Sequence, residues 1–335
     1  MRKVWQKPAL SLSFLAVLVL TFGTAGTVHG AELKKFRAGF NGSLCEGPVH
    51  IAYEKGFFKD EGLDVELIRL APGTNFEAIT AGQIDASFGL LATLIQPLSN
   101  GLPIKITSGL HTGCDKLLVK PDSGIKTLAD LKGKRVGVPS LTSSPIMFAR
   151  RGLAAAGVKV GDKDSEVEFV VFTNAELPLA LEKGAVDAVA ANDPVASVAA
   201  RDFNLTVLLD SARDQPYADQ YCCASYVNAE LVDKDPEAAA SYTRAMQRAA
   251  AWIQKNQEET ARIQVEKKYV AGDPVFNAQV IKTFRYIPSV SGAYKAFGIT
   301  AGELKKIGVL GPRVDVEALH KSSFASLPNV PDSAE

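Results

Sequence analysis

Four hydroxyl side chains stand close together in the segment SLTSSP: Ser140, Thr142, Ser143 and Ser144. The segment follows a predicted strand and opens a predicted helix, with Pro145 near its first turn. A helix start carries unpaired backbone N–H groups, and hydroxyls beside them can bind an oxyanion such as a sulfonate, nitrate, carboxylate or phosphate. The same residues can also serve only as a helix cap. Both interpretations follow from the sequence.

Further polar residues follow other predicted strands, in the segments NGSLCEGP, APGTNF, GLLAT and ANDP. In open α/β sheets, ligands bind outside the carboxyl ends of the strands. Asn192 is expected to face such a cleft, whereas Asp193 is expected either to contact the ligand or to cap the next helix. These segments contribute the following candidate ligand contacts: Cys45, Glu46, Thr74, Leu91, Asn192 and Asp193.

Strands and helices alternate in two successive stretches, from about residue 35 to 110 and from about 127 to 210. This alternation predicts mostly parallel sheets with helices on both faces. The later sequence is mainly helical, and Asp235 and Pro236 mark the start of a long helix as its N-cap and first residue.

Two decapeptides repeat the same pattern, EAITAGQIDA at 77–86 and LALEKGAVDA at 179–188. Each predicts a helix end, a glycine that caps it and a following hydrophobic strand. Gly82 and Gly184 are predicted to adopt the left-handed conformation, which glycine tolerates best. The repeat therefore predicts two lobes built in the same way.

Composition and the N-terminus narrow the class of protein. The chain has 335 residues, a length that predicts two domains. Its formal net charge is zero, so a nucleic-acid partner is not expected. Residues 1–31 join the basic start MRKVWQKP to an apolar run and small residues, which predicts a signal peptide cleaved near residues 30–31 and a periplasmic location. An uncleaved membrane anchor is the alternative for this segment.

Four segments resemble one protein family: IAYEKGFFKDEGLDVELI, GQIDASFG, IKTLADLKGKRVGVP and DPEAAASYTRAM. They are similar to the periplasmic substrate-binding proteins of ABC importers in the SsuA/TauA/NMT1-like superfamily, which includes sulfonate, nitrate and taurine binders. The resemblance covers about residues 36–310. It implies an α/β protein with a type II periplasmic-binding-protein fold, in which two α/β lobes are joined by a two-stranded hinge.

The resemblance also implies a division of the chain. Lobe 1 would comprise 34–113 and the returning segment with the C-terminal helices at 217–326, and lobe 2 would comprise 114–216. Residues 327–335 are expected to form a flexible tail. Cys114 would lie near the first crossing between the lobes, and Tyr221 and Cys222 near the return crossing, so these three complete the predicted ligand contacts.

The four cysteines, Cys45, Cys114, Cys222 and Cys223, would then all lie near the cleft or hinge. Three interpretations remain open. Cys114 could form a disulfide with Cys222 or Cys223. The thiols could be small buried hydrophobic groups. They could also face the ligand as a cluster that binds a soft metal, a metal complex or a thiol-bearing molecule.

The function expected from these observations is capture of a small, anionic solute between two lobes and its delivery to the membrane permease of an ABC importer. The alternatives are a pyrimidine-precursor binder or synthase-like relative, and a binder of a soft metal or thiol ligand. No nucleophile elbow, HExxH or P-loop is present, so no enzyme, catalytic residue, resident metal or cofactor is expected. The protein is expected to be a monomer.

Overall fold

The computed structural model describes residues 1–5, 32–71, 73–161 and 163–334. The chain divides into two units, Met1–Glu32 and Leu33–Glu335. Residues 6–31 of the predicted signal peptide lie outside the described residues. Within the described ranges, no helix combines the length and the apolar character needed to cross a membrane.

The unit from Leu33 onwards contains two five-stranded sheets. In order across the sheet, the first is β2-β1-β3-β10-β4 and the second is β7-β6-β8-β5-β9. The strands of the described residues are β1 (Lys34–Phe40), β2 (Leu63–Arg69), β3 (Ala86–Leu90), β4 (Ile104–Thr112), β5 (Asp115–Val119), β6 (Arg135–Val138), β7 (Glu168–Val171), β8 (Ala188–Asn192), β9 (Thr206–Asp210) and β10 (Tyr221–Asn228).

Helices connect most strands and make up most of the chain after β10. The longest, α9, is capped by Asp235, whose side chain accepts from the Ala238 N–H, and it carries Pro236 at its first position as expected. The helices are α1 (Gly47–Glu54), α2 (Phe57–Asp60), α3 (Asn75–Thr80), α4 (Leu91–Ser99), α5 (Ser144–Ala155), α6 (Leu177–Glu182), α7 (Val195–Asp202), α8 (Ala229–Lys234), α9 (Pro236–Lys255), α10 (Gln257–Glu266), α11 (Pro274–Ile281), α12 (Val290–Lys306) and α13 (Val316–Ser322).

The repeated decapeptides form equivalent junctions in the two sheets. Gly82 and Gly184 have φ of 67° and 70°, which confirms the predicted left-handed helix ends. The carboxylate of Asp85 accepts from the Arg37 backbone N–H at 2.7 Å, and that of Asp187 accepts from the Arg135 N–H at 2.8 Å. The aspartates therefore tie the start of β3 to β1 and the start of β8 to β6.

Both sheets are mixed, although the sequence predicted mostly parallel ones. Strand β10 pairs antiparallel with β3 and β4, and β5 pairs antiparallel with β8 and β9. Each antiparallel strand follows a crossing between the sheets, so it enters its sheet from the opposite end. The crossings lie at 113–114 and 211–220, between β4 and β5 and between β9 and β10. The hydrophobic pattern of a single strand does not show the direction in which that strand enters its sheet.

The C-terminal segment is bound to the lobe, in contrast to the expected flexible tail. The carboxylate of Asp332 accepts from the Ser291 N–H at 2.7 Å and from the Ser291 and Ser289 hydroxyls at 2.9 and 3.1 Å. The Gln247 amide donates to the Pro331 carbonyl at 3.1 Å. These hydrogen bonds hold residues 331–332 against the start of α12 and against α9.

Candidate functional site

The hydroxyls of SLTSSP lie around the start of α5, on the predicted helix terminus. The Ser143 hydroxyl donates to the Ser140 carbonyl at 2.8 Å, and the Ser140 and Thr142 hydroxyl oxygens lie 3.4 Å apart. Ser144 is buried, and its hydroxyl donates to the Asp115 carboxyl. Some hydroxyls of the segment therefore form hydrogen bonds within it, while the Ser144 hydroxyl links α5 to Asp115, next to the first crossing.

Asp193 has a structural role at the end of β8. Its carboxylate forms a buried ion pair with Lys116 and accepts from the Ser197 N–H and hydroxyl at 3.0 and 2.7 Å. Burial raises the pKa of this carboxyl, and the charge of Lys116 opposes that rise. The capping interpretation of Asp193 thus has direct support, and the neighbouring Asn192 is half-buried at the end of the strand.

Three other side chains that were predicted to contact a ligand instead make contacts within the protein. The Glu46 carboxylate accepts from the backbone N–H groups of Asn41, Gly42 and Ser43, so it organises its own turn. Leu91 packs its side chain into the hydrophobic core, and Thr74 is exposed and donates to a carbonyl of its own loop. This geometry gives no support to a ligand contact through these three side chains.

A cavity of about 30 Å³ lies where the two lobes and both crossings meet. Three of the residues predicted to contact a ligand line it: Ser144, Tyr221 and Cys222. The other lining residues were not predicted: Ala92, Gly113, Asp115, Phe148, Arg151, Ser211, Tyr217, Gln220 and Thr300. We call this space the interlobe pocket.

Two charged side chains give the interlobe pocket its polarity. Asp115 is buried, and its Oδ1 has no hydrogen-bond partner within the described ranges. Burial and the neighbouring Cys222 thiol raise the pKa of Asp115 well above its ordinary value. The Arg151 guanidinium donates hydrogen bonds to the side chains of Glu303 and Gln220. Asp115 Oδ1 is therefore a buried polar atom beside the interlobe pocket that has no hydrogen-bond partner among the described residues.

The missed residues carried a partial signal in the sequence. Phe148 and Arg151 follow the predicted Ser144 by four and seven residues, which puts all three on one face of α5. Asp115 directly follows Cys114 at the first crossing. Tyr217 and Gln220 belong to the return crossing, whose path is set by long-range strand pairing that local patterns do not contain.

The four cysteines converge beneath the interlobe pocket as free thiols. Cys45, Cys114 and Cys223 are buried, and Cys222 is half-buried and lines the pocket. The sulfur atoms of Cys114, Cys222 and Cys223 lie within 4.8 Å of one another. The proximity expected of a disulfide is present, but the structure contains no such bond, and the thiols form a cluster.

The thiols influence one another's protonation. Hydrogen bonds with the Cys114 and Cys223 thiols lower the pKa of Cys222 to about 5, and the same two neighbours lower that of Cys45. Burial raises the pKa of Cys114 and Cys223. Hydrogen bonding within the cluster and burial therefore shift the pKa values of the thiols in opposite directions.

Comparisons of the sequence with known proteins identify its family. A family model described as NMT1/THI5 like matches residues 46–260. A Bacillus subtilis (strain 168) protein whose name assigns it to aliphatic sulfonate binding is 25% identical over 237 residues, 69% of this chain and 68% of that protein. The formylaminopyrimidine-binding protein of Halalkalibacterium halodurans is 24% identical over 234 residues, 68% of each chain.

The fold also matches a solved structure. The periplasmic aliphatic sulphonate binding protein SsuA from Escherichia coli superposes with a TM-score of 0.72 at 18% identity, over 90% of this chain and 95% of that one. This likeness confirms the predicted two-lobed periplasmic-binding-protein fold. Since the family model covers more than half of the sequence, the chain belongs to the NMT1/THI5-like family.

Proposed function

We propose that this protein is the extracytoplasmic solute-binding component of an ABC importer and that its solute binds in the interlobe pocket. The observation that carries the proposal is the pocket itself, whose lining comes from both lobes and both crossings. A site built in this way changes when the lobes move, so binding and lobe movement are coupled.

The size of the pocket indicates how a solute would enter. Its volume of about 30 Å³ is far below the roughly 300–1,000 Å³ of ordinary ligand pockets. An organic solute therefore requires the lobes to part before it binds and to close on it afterwards. The two crossings at 113–114 and 211–220 are the segments that would bend.

A small anion is the first candidate solute. Ser144 lines the pocket at the N-terminus of α5, a helix of 12 residues, whose backbone N–H groups can donate to an oxyanion. The hydroxyls of Ser140 and Thr142 lie in the preceding loop, outside the pocket lining. The relative from Bacillus subtilis supports this class, because its name specifies aliphatic sulfonates.

A pyrimidine precursor is the second candidate, and the pocket lining favours it. The unpartnered Asp115 oxygen can accept a hydrogen bond from a ring N–H or amino group. Phe148, Tyr217 and Tyr221 supply aromatic surface beside it. The similarity to a formylaminopyrimidine-binding protein supports this class.

The assignment as a solute-binding component also specifies where the protein acts, its oligomeric state and its partner. The protein would reach the periplasm through a signal peptide cleaved near residues 30–31 and act as a monomer with the permease of its importer as partner. Binding rather than catalysis is the proposed activity, in line with the binding proteins among its relatives.

A thermal-shift screen of the mature protein tests the proposal. The panel contains aliphatic sulfonates, nitrate, carboxylates and pyrimidines. A solute present at 100 times its Kd adds about 2.7 kcal/mol to the free energy of unfolding, which raises the melting temperature measurably. A panel in which no compound shifts the melting temperature would contradict the proposed solute classes.

Asp115→Asn distinguishes the two candidates. If a solute N–H donates to the Asp115 carboxyl and binding ionises that group, we expect the amide variant to lower affinity at least tenfold, because a hydrogen bond to a charged group contributes roughly 1.5–3 kcal/mol. If the solute is an oxyanion, the introduced amide can donate to it, and affinity is expected to hold or rise. Isothermal titration calorimetry measures the difference.

The matched control for this variant is Asp219→Asn. Asp219 lies on the return crossing, but its side chain is 62% exposed and pairs with Arg285 outside the pocket lining. This variant should bind the solute as the wild type does. Equal losses of affinity in both variants would place the solute elsewhere.

A further inference from the structure

Beneath the interlobe pocket, three buried side chains bring ligand atoms together in the manner of a metal site. The ligand atoms of Cys45, His111 and Cys223 all lie within 4.8 Å of one another. They come from three separate segments: the turn before α1, strand β4 and strand β10. Tertiary folding, rather than sequence proximity, therefore creates the group.

The imidazole of His111 is oriented as metal-binding histidines are. Its Nδ1 lies 3.2 Å from the Thr112 carbonyl, which can only accept, so Nδ1 carries the hydrogen. Nε2 is then the atom with a free lone pair in the neutral ring. It is fully buried and has no hydrogen-bond partner among the described residues. A ring fixed through a backbone carbonyl, with its other nitrogen free, is the usual arrangement of a histidine ligand.

Burial makes the unpartnered nitrogen significant. A buried polar atom without a partner destabilises the folded state, so folded proteins rarely keep one. The Tyr286 hydroxyl, also buried, is a second polar group without a partner in the described part of the chain. The Tyr286 and His111 ring centroids lie 4.8 Å apart, which places this hydroxyl-bearing side chain beside the same cluster.

A second group of donors shares Cys223 and reaches the pocket. The sulfurs of Cys114, Cys222 and Cys223 lie within 4.8 Å of one another, and Cys222 lines the interlobe pocket. An ion entering the pocket could thus pass from the half-buried Cys222 to the buried ligands. The first loop of lobe 1, the first crossing and strand β10 contribute thiols to the combined cluster.

We propose that Cys45, His111 and Cys223 form a binding site for a thiophilic metal ion, with Cys114 and Cys222 providing access to it. Thiolate ligands select soft ions, and thiolate with imidazole suits monovalent copper and zinc. Zinc favours four ligands, so a third thiol, from Cys114 or Cys222, would complete its shell as the fourth ligand. The site is independent of the solute that the pocket binds.

Metal titration of the whole mature protein under reducing, oxygen-free conditions tests the site. Monovalent copper and zinc are added separately, each against a chromophoric chelator, and bound metal is counted by mass spectrometry. We expect at least one equivalent of one of these ions to bind and to raise the melting temperature. Binding of copper but not zinc, or the reverse, identifies the ion.

Variants locate the site. Cys223→Ser and Cys45→Ser should each weaken binding at least a hundredfold, and circular dichroism shows whether each variant folds. His50→Gln is the matched control, because His50 is also a buried histidine with an unpartnered Nε2 but lies outside the cluster. It should leave metal affinity unchanged.

A measurement on the unaltered chain keeps the test independent of variant folding. In protein labelled with nitrogen-15 in histidine, metal should shift the Nε2 resonance of His111 and leave that of His50 in place. Absence of binding for both ions, or the same resonance shift in both histidines, would overturn the site. A mass two daltons low, with a peptide cross-linked through Cys223, would also overturn it.

Discussion

Lys116→Met is expected to lower the free energy of unfolding by about 3–5 kcal/mol. The ammonium group of Lys116 pairs with Asp193 and lies 3.9 Å from Asp210, and all three side chains are at most 4% exposed. Removing the lysine leaves the Asp193 carboxylate buried without a counter-charge, whereas Asp210 keeps its ion pair with Arg213 at 2.9 Å. Breaking a buried pair in this way costs about 3–5 kcal/mol. Urea denaturation followed by circular dichroism measures the change.

The control for this prediction is an exposed ion pair. Lys321 and Glu317 pair across one helical turn of α13, with side chains 68% and 79% exposed. Because exposed pairs contribute about 0–1 kcal/mol, Lys321→Met should change stability little. Adding Asp193→Asn to Lys116→Met should restore part of the lost stability. If both lysine variants lost the same small amount, the buried pair would have no special role.

Acid is expected to destabilise the protein through His50. This side chain is fully buried in α1, and its Nδ1 lies 3.1 Å from the Gln264 amide nitrogen. Burial, and then the charge of Arg69, lower the pKa of His50 from 6.5 to about 3. Between these values the unfolded chain binds a proton that the folded chain does not, so stability falls as the pH drops.

The size of the acid effect follows from the pKa shift. Each pH unit between about 6.5 and 3 removes about 1.4 kcal/mol, which gives roughly 4–5 kcal/mol over the whole window. Above pH 6.5 the contribution of His50 is fully present. His50→Gln should flatten this part of the stability profile, as measured by urea denaturation at a series of pH values.

Val49→Ala is the matched control for His50→Gln. Val49 is buried beside His50 in α1 and does not titrate. Its truncation should lower stability by a similar amount at every pH and leave the slope of the profile unchanged. A profile for His50→Gln that runs parallel to that of the wild type would refute the assignment.

Local sequence patterns predicted much of the fold. The repeated Gly-x-x-Asp units at 82–85 and 184–187 form equivalent junctions, because helix ends and strand starts depend on neighbouring residues. The antiparallel strands β5 and β10 were not predicted from periodicity, since their direction depends on crossings between the lobes. Only the family resemblance indicated a returning segment.

The candidate site was predicted less completely. Of the residues predicted to contact a ligand, Ser144, Tyr221 and Cys222 line the interlobe pocket. Glu46 and Leu91 were also expected there, but one caps its own turn and the other joins the core. Sequence position identifies which loop lies near a cleft, whereas tertiary packing decides which way each side chain points. His111 illustrates the same limit, since its nitrogen meets the thiols only after folding.

Small-angle X-ray scattering tests most directly the claim that a solute is captured between two closing lobes. The mature protein is measured alone, with a solute that raised its melting temperature, and with a panel compound that did not. The account predicts that the radius of gyration falls only with the binding solute, as the lobes close around it. An unchanged radius of gyration at saturating solute would contradict capture by closure of the lobes.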